Sequence, residues 1–216
     1  MKYLSGECAE LHSHYGVFNH LFMEHEERTN ILCRYLDPLL GMFQNFLFFE
    51  MILGICRLLD KDQGENKNLT LRSLADRASK WDKVFGKEIQ DDVDLLIGRA
   101  SLLKDHRNKS LAHFDLGISL EKQTLDLVKP IDILECLQQI AAILNKVHVK
   151  ITGSEMLYDI LDPKEIILDT EYTVAKAAAF DRFIELGKAG REDWEEFVKT
   201  PPSPYHLKVN TAENQS

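Results

Sequence analysis

The spacing of apolar residues predicts helices along most of the chain. Residues 7–36 are rich in helix-forming residues, and Pro38 is expected to end or kink that segment. Residues 39–60 are apolar on most faces and include four closely spaced phenylalanines. A helix that is apolar all round is buried at the centre of a protein or lies at an interface.

Further helices are predicted in the middle of the chain and after Pro130. A polar loop at residues 61–68 precedes a helix that is expected to start at Asn68 or Thr70. Residues 88–113 carry apolar side chains at the spacing of one buried helical face, and Pro130 suits the first turn of another helix. The expected core-facing stripe of that helix is Ile133, Leu137, Ile140, Ala141 and Leu144.

These elements predict an all-α protein with three parts. Residues 1–152 form a helical bundle in this interpretation, and residues 153–200, where the composition changes, form a C-terminal helical appendage. Residues 201–216 are polar and rich in proline, which is typical of a flexible tail.

Composition indicates an ordinary globular protein of the cytoplasm. The 216 residues are 44% hydrophobic and 28% charged, and the four cysteines form no CxxC pair, as expected of reduced thiols. The N-terminus is too polar for a signal peptide. The apolar helix of residues 39–59 is interrupted by Gln44, Glu50 and Arg57, so we expect it to be buried in protein rather than in a membrane.

Charge excludes one class of function and points to one segment. A net charge of −9 argues against broad coating of RNA, because proteins that grip nucleic acid through its phosphates are usually basic. Basic residues nevertheless cluster between positions 99 and 109 around a single acid, Asp105. A solvated helix face is the alternative explanation of this cluster. Its basic members are Arg99, Lys104, His106, Arg107 and Lys109.

The segment RNKSLAHFD, residues 107–115, carries the candidate chemistry. Arg107 keeps its charge at any physiological pH, and His113 can exchange a proton near neutrality. On an α-helix they would lie about 120° apart around the axis and about 9 Å apart along it, flanking a face that also holds Ser110 and His106. Metal-free cleavage of RNA needs a base, an acid and a cation, for which His113 and Arg107 are suited.

Structural roles are the alternative for the same residues. Arg107 could pair with Asp105, Asp115 or an acid on a neighbouring helix, and His113 could be a helix-end residue favoured by the dipole. Asn108 could cap the helix or orient the histidine, and Asp115 could accept a hydrogen bond from the imidazole. In residues 39–60, the polar positions could form a buried ion pair or groups that aim Arg107, with structural support favoured. These positions are Glu50, Arg57 and Asp60.

The motif RNKSLAH, preceded by ICRLLDK and NLTLRSLADR, resembles the R-x(4-6)-H signature of the HEPN superfamily, in its abortive-infection (AbiU-type) subgroup. The resemblance covers roughly residues 30–150 and implies a helical bundle, commonly a homodimer with the two motifs facing one another across a cleft. Many such proteins are metal-independent endoribonucleases of antiviral defence or toxin–antitoxin systems. It implies that Arg107 and His113 are the catalytic pair, supported by Asn108. Asp115 replaces a tyrosine that is modified in some toxins, which argues against that form of neutralisation here.

The sequence therefore predicts an endoribonuclease with an RNA substrate, no cofactor and no metal, and the resemblance allows an antitoxin protein as a further partner. His12, His14, His20 and His25 form no metal-binding pattern such as HExxH. The alternative is a non-catalytic HEPN-like module that binds a nucleotide, an RNA or a protein partner, because fold alone does not decide function. A third interpretation is an obligate dimer, assembled through the phenylalanine-rich helix, that regulates another process.

Overall fold

The computed structural model of the protein describes residues 1–24, 26–61, 69–111, 126–159 and 172–181. Every regular element within these ranges is a helix, and they contain no strand. The predicted all-α class is therefore confirmed.

The first part of the chain forms three helices: α1 (Lys2–Phe22), α2 (Glu26–Leu36) and α3 (Leu39–Leu59). Pro38 separates α2 from α3, as predicted, and the segment of residues 7–36 comprises most of α1 and all of α2. The backbone carbonyl of Asn19 accepts hydrogen bonds from the N–H groups of both Met23 and Glu24, at 2.9 and 3.1 Å. The Glu24 carboxylate also accepts a hydrogen bond from the Asn19 amide at 3.1 Å, and these contacts close the end of α1.

Side-chain caps define the next two helices, α4 (Leu71–Trp81) and α5 (Lys83–Arg99). Thr70 Oγ1 accepts a hydrogen bond from the Ser73 N–H at 3.3 Å, and Ser73 Oγ accepts one from the Thr70 N–H at 3.0 Å. This capping box confirms the predicted start at Thr70. Asp82 caps α5 by accepting hydrogen bonds from two N–H groups of its first turn, at 3.0 and 3.1 Å.

Helices α4 and α5 lie close together at Gly86. A Cβ atom built at this position would lie 2.3 Å from the Cα atom of Ser79, so only glycine fits without moving the backbone. Nothing lies within 4 Å of a Cβ built at Gly98, near the end of the same helix. The two glycines of α5 therefore differ sharply in the space around them.

The structure divides the helix predicted over residues 88–113. After α5, Ala100 adopts φ −78° and ψ 7°, and α6 (Ser101–His106) follows. Residues Arg107–Leu111 form a π-helix, not an α-helix. A π-helix closes i→i+5 hydrogen bonds and turns by a smaller angle per residue, so the predicted placement of Arg107 on an α-helical wheel is wrong for this turn.

Two helices complete the described part of the chain: α7 (Pro130–Thr152) and α8 (172–181). Pro130 is in the first turn of α7, as predicted, and the Asp132 carboxylate accepts a hydrogen bond from the Lys129 N–H at 2.8 Å. Gly153, with φ 76°, ends α7 in the left-handed conformation that glycine adopts readily.

The chain groups into two compact units. The first unit comprises Met1–Phe18 and Phe43–Asp162, and the second combines Asn19–Met42 with Pro163–Ser216. In the first unit, α5 packs against α4 and α7. The predicted stripe of α7 lies in its core, with Ala141 half-buried and four other positions buried. The predicted tail, residues 201–216, and most of the predicted appendage, residues 153–200, lie outside the described residues.

The two halves of α3 have different surroundings. Its C-terminal half is buried, including Met51, Ile55 and Leu59, whereas Met42, Phe43 and Phe46 are exposed. By length and composition alone α3 could cross a membrane, with a mean hydropathy of 1.7 over its most apolar 18-residue window, of which 39% is buried. The predicted burial of this helix therefore holds for most of its C-terminal half and for Leu40 and Leu47, but not for the three exposed residues.

A polar contact joins α1 to the segment after α7. The His12 ring stacks on Tyr158 with centroids 6.4 Å apart, and His12 Nε2 lies 3.3 Å from the carbonyl oxygen of Leu137. The Tyr158 hydroxyl lies 3.4 Å from Ser5 Oγ. Burial lowers the pKa of His12, although the Leu137 carbonyl and the charge of Asp159 partly oppose the decrease.

All four cysteines are free thiols, and three are buried. Burial raises the pKa of Cys8 to about 12. It also raises the pKa of Cys56 and of Cys136 to about 11. Cys33 is exposed. Thiolates are the reactive form, so chemical reactivity is expected at Cys33 alone.

Candidate functional site

Arg107 is held by two neighbours at the start of the π-helix. Its Nη1 donates hydrogen bonds to both carboxylate oxygens of Asp60, at 2.6 and 2.8 Å. Its Nε donates to Asn108 Oδ1 at 3.0 Å. The Arg107 side chain is 23% exposed, so the guanidinium is fixed in orientation but not sealed from solvent.

The contacts with Asp60 and Asn108 use Nε and Nη1 of Arg107 but not Nη2. Within the described residues, Nη2 of Arg107 makes no hydrogen bond, so its two N–H groups can donate to a ligand. Two N–H groups on one planar cation suit the oxygens of a phosphate. Of the acids considered from the sequence, the partner is Asp60 on a neighbouring segment and not Asp105.

Asp60 is placed by the end of α3. It follows Leu59 directly, and its N–H lies 3.4 Å from the Arg57 carbonyl oxygen. The sequence singled out Asp60 among groups that could aim Arg107, and the structure brings the two side chains together across 47 positions. Sequence spacing alone gave no indication which of the acids would make this contact.

The ion pair between Glu50 and Arg57 has a different role. Arg57 Nη2 donates to Glu50 at 3.1 Å and to Glu7 on α1 at 2.6 Å. The Arg57 side chain is 55% exposed, so the predicted burial of this pair is wrong. The pair links α1 to α3 at the surface, where such contacts contribute little to stability.

His106 is engaged by a contact that the sequence did not indicate. Its Nε2 lies 3.1 Å from the carbonyl oxygen of Asp126. A carbonyl only accepts hydrogen bonds, so Nε2 carries the proton in this contact and Nδ1 is the unprotonated nitrogen of the neutral ring. Nδ1 is buried and has no hydrogen-bond partner among the described residues. Proton exchange with a substrate therefore requires this contact to open.

The basic cluster around Arg107 differs from the predicted one in two members. Arg99 is paired with Glu135 at 3.3 Å. Lys104 forms no ion pair among the described residues, and burial lowers its pKa, with further decreases from the charges of Arg72 and Arg107. Arg72, on α4, thus lies close enough to Lys104 to join the cluster, although its Nη1 is also 3.8 Å from Asp94 Oδ1. Local sequence could not show this, because Arg72 is brought in by the packing of helices.

Several predicted site residues are not positioned by the structure. His113 and Asp115 lie outside the described residues. The backbone of Ser110 lies in the π-helix, but its side chain is not described. Among the described residues, no group of three or more His, Cys, Asp or Glu side chains is arranged to hold a metal ion.

Comparison with known proteins identifies the family. The family model HEPN_AbiU2, described as AbiU2, matches residues 1–171, which include α1 to α7 and the RNKSLAH segment. No curated protein and no solved structure matches the chain. The match covers well over half of the sequence and agrees with the all-α fold. The chain therefore belongs to the HEPN-like AbiU2 family.

Proposed function

We propose that this protein is a metal-independent endoribonuclease of antiviral defence or of a toxin system, acting in the cytoplasm. Membership of a HEPN-like abortive-infection family supports a role of this kind. The observation that carries the proposal is the geometry of Arg107, whose guanidinium is fixed by Asp60 and Asn108 and whose Nη2 has no hydrogen-bond partner in the described part of the chain.

In this mechanism Arg107 binds the scissile phosphate. Its Nη2 donates to a non-bridging oxygen, and its charge stabilises the negative charge that develops on phosphorus substituents in the transition state. Asp60 keeps the guanidinium in place through two hydrogen bonds from Nη1. A phosphate could take the position of the carboxylate only by breaking both of these hydrogen bonds. Lys104, which forms no ion pair among the described residues, adds positive charge nearby.

His113 supplies the proton transfers in the proposed reaction. A neutral imidazole removes the proton from the 2′-hydroxyl, the 2′-oxygen attacks phosphorus, and the bond to the 5′-oxygen breaks. A protonated imidazole gives its proton to that leaving oxygen. The products are a 2′,3′-cyclic phosphate and a 5′-hydroxyl. One imidazole cannot hold both protonation states at once, so a second copy of His113 in a homodimer is part of the proposal.

The exposed part of α3 supports assembly of two chains. Met42, Phe43 and Phe46 are 68%, 39% and 58% exposed and follow one another at helical spacing. Apolar surface of this kind marks a contact with another molecule. We assign it to a second copy, since each chain carries one RNKSLAH segment. An antitoxin protein that blocks the same site is a further proposed partner.

The test is RNA cleavage in the presence of EDTA. Purified protein is incubated with total RNA or transfer RNA, alongside the variants Arg107→Ala and His113→Ala. We expect wild-type protein to release fragments with 2′,3′-cyclic phosphate and 5′-hydroxyl ends, and both variants to be inactive. Absence of wild-type cleavage, or undiminished cleavage by both variants, would refute the enzyme proposal.

The second candidate function is a non-catalytic module that binds a nucleotide, an RNA or a protein. It is favoured by His106, whose Nε2 is bonded to the Asp126 carbonyl and whose Nδ1 is enclosed. Neither ring nitrogen of His106 is then available as the second proton donor or acceptor of a single chain. Wild-type protein that binds RNA without cleaving it, at protein concentrations where it is dimeric, would support this candidate.

A further inference from the structure

A cavity lies next to the Asp60–Arg107 pair. Its volume is about 340 Å³, and it is formed by the start of α1 and the end of α3. The buried side chains of Leu4 and Leu58 give it an apolar wall, and Asp60 contributes a carboxylate. Small-molecule sites in proteins commonly have a volume of this order, an apolar lining and a few polar groups.

Asp60 connects the cavity to Arg107. The carboxylate that lines the cavity is the one that accepts both hydrogen bonds from Arg107 Nη1. A ligand group inside the cavity is therefore one side chain away from the guanidinium proposed to bind phosphate. In an RNA strand, the part of a nucleotide that lies this close to its own phosphate is its ribose or its base.

The charges of the cavity select against a phosphate inside it. Glu7 and Asp60 are carboxylates, and Arg57, the one cation among the described residues that line the cavity, already donates to Glu7 and Glu50. Glu7 Oε2 makes no hydrogen bond among the described residues, and Oε1, which accepts one from Arg57, has a second lone pair, so each oxygen can accept one hydrogen bond from a ligand. The cavity thus offers acceptors to a neutral ligand that carries N–H donors.

Tyr3 adds an aromatic surface. It lines the cavity and is 80% exposed, so one face of its ring can be covered without displacing protein. Single-stranded RNA is commonly read by stacking of an unpaired base on an aromatic side chain together with hydrogen bonds to the edge of the base. The cavity combines both features.

We propose that this cavity binds the guanine base of the RNA strand whose phosphate contacts Arg107. The inference rests on RNA being the ligand, as in the proposed function. Guanine is the base that presents a ring N–H and an amino group side by side, and a carboxylate can accept from both at once. Glu7 accepts these hydrogen bonds, Tyr3 stacks on the base, and Asp60 connects the subsite to Arg107.

Binding of uncleavable RNA tests the inference separately from catalysis. Fluorescence anisotropy of the full chain is measured with 2′-O-methyl pentanucleotides UUXUU, where X is guanine, hypoxanthine, adenine or uracil. Hypoxanthine lacks only the amino group of guanine. We expect guanine to bind about tenfold more tightly than uracil, with hypoxanthine in between.

Two variants locate the preference. Glu7→Gln should reduce the preference for guanine over hypoxanthine to about twofold or less, since an amide cannot accept both hydrogen bonds. Tyr3→Leu should weaken binding of every base several-fold, because stacking does not distinguish bases. The matched controls are Glu10→Gln, exposed on the same helix, and Trp81→Leu, an exposed aromatic on α4; both should bind as wild type does.

The outcomes separate this inference from the proposed function. Equal binding of all four oligonucleotides, no binding at all, or a guanine preference that survives in Glu7→Gln would overturn the inference. Guanine-selective binding that Glu7→Gln removes, without cleavage of the corresponding 2′-hydroxyl RNA, would leave the subsite standing and refute the nuclease. RNA cleavage without any base preference in binding would support the nuclease and refute the subsite.

Discussion

The ion pair between Asp60 and Arg107 should contribute measurably to stability, and the structure sets the size of that contribution. Two short hydrogen bonds between charged groups would contribute about 1.5–3 kcal/mol each if fully buried. The side chains are 38% and 23% exposed, so solvent screens part of the attraction. We therefore expect a coupling free energy of about 1 kcal/mol for the pair as a whole.

A double-mutant cycle measures this coupling. Urea unfolding is followed by circular dichroism for wild type, Asp60→Ala, Arg107→Ala and the double variant, and the non-additive part of the free energy of unfolding is the coupling. The control cycle uses Arg99 and Glu135, a single contact of 3.3 Å between side chains that are 46% and 49% exposed. That pair should couple by at most about 0.5 kcal/mol.

The comparison of the two cycles decides whether Asp60 holds Arg107 in solution. A coupling for Asp60 and Arg107 no larger than that of the control pair would refute the positioning role on which the proposed site depends. If the role is correct, Asp60→Asn should also slow RNA cleavage by about 10–100-fold, since the cation is retained but no longer oriented. The same substitution should leave the magnitude of the helical signal in circular dichroism unchanged.

Three further predictions concern the scaffold. Gly86→Ala should lower the free energy of unfolding by about 1–3 kcal/mol or more, because the added Cβ meets the Ser79 backbone. Gly98→Ala on the same helix should be neutral or stabilising by up to about 1 kcal/mol. Urea unfolding of both variants measures the difference. Native protein should react with a thiol reagent at one site, and Cys33→Ala should abolish that reaction. Three or four fast-reacting thiols in the native protein would contradict this prediction. Because burial lowers the folded-state pKa of His12, its contribution to stability is complete above the unfolded pKa and is lost as the pH falls below it. The free-energy difference between wild type and His12→Asn should therefore shrink from pH 7.5 to pH 5, and a constant difference would contradict this assignment.

Local sequence features predicted the elements whose cause is local. The hydroxyl of Thr70 caps α4, and Pro130 fits the first turn of α7, because each acts within a few residues of its own position. The apolar stripe of α7 identified its buried face in the same way. These signals need no knowledge of the rest of the chain.

The candidate site depends on contacts that local sequence does not encode. Arg107 meets Asp60 through the packing of separate helices, and His106 meets a backbone carbonyl at Asp126, whose position no side-chain pattern reveals. The π-helix was also missed, since its residues RNKSL suit an α-helix equally well. Helical periodicity correctly placed Arg107 and His106 in one helical region but could not give their orientation.

The pattern of burial along α3 is a further feature that local sequence did not predict. Its composition is apolar throughout, and sequence alone gave no reason to separate the buried Met51 and Ile55 from the exposed Met42 and Phe46. Burial depends on which neighbours cover each turn of the helix. Composition therefore predicted a buried or interface helix, and the structure shows which positions are buried, most of them in the C-terminal half.

The central claim is that Arg107, oriented by Asp60, stabilises the transition state of metal-free RNA cleavage. The most direct test is the single-turnover rate constant for cleavage in EDTA, measured for Arg107→Ala and for Arg77→Ala, which removes the same charge from an exposed position of α4. We predict that Arg107→Ala lowers the rate constant by about 100-fold or more and that Arg77→Ala changes it less than about twofold. Equal losses in the two variants, or none in either, would contradict the account.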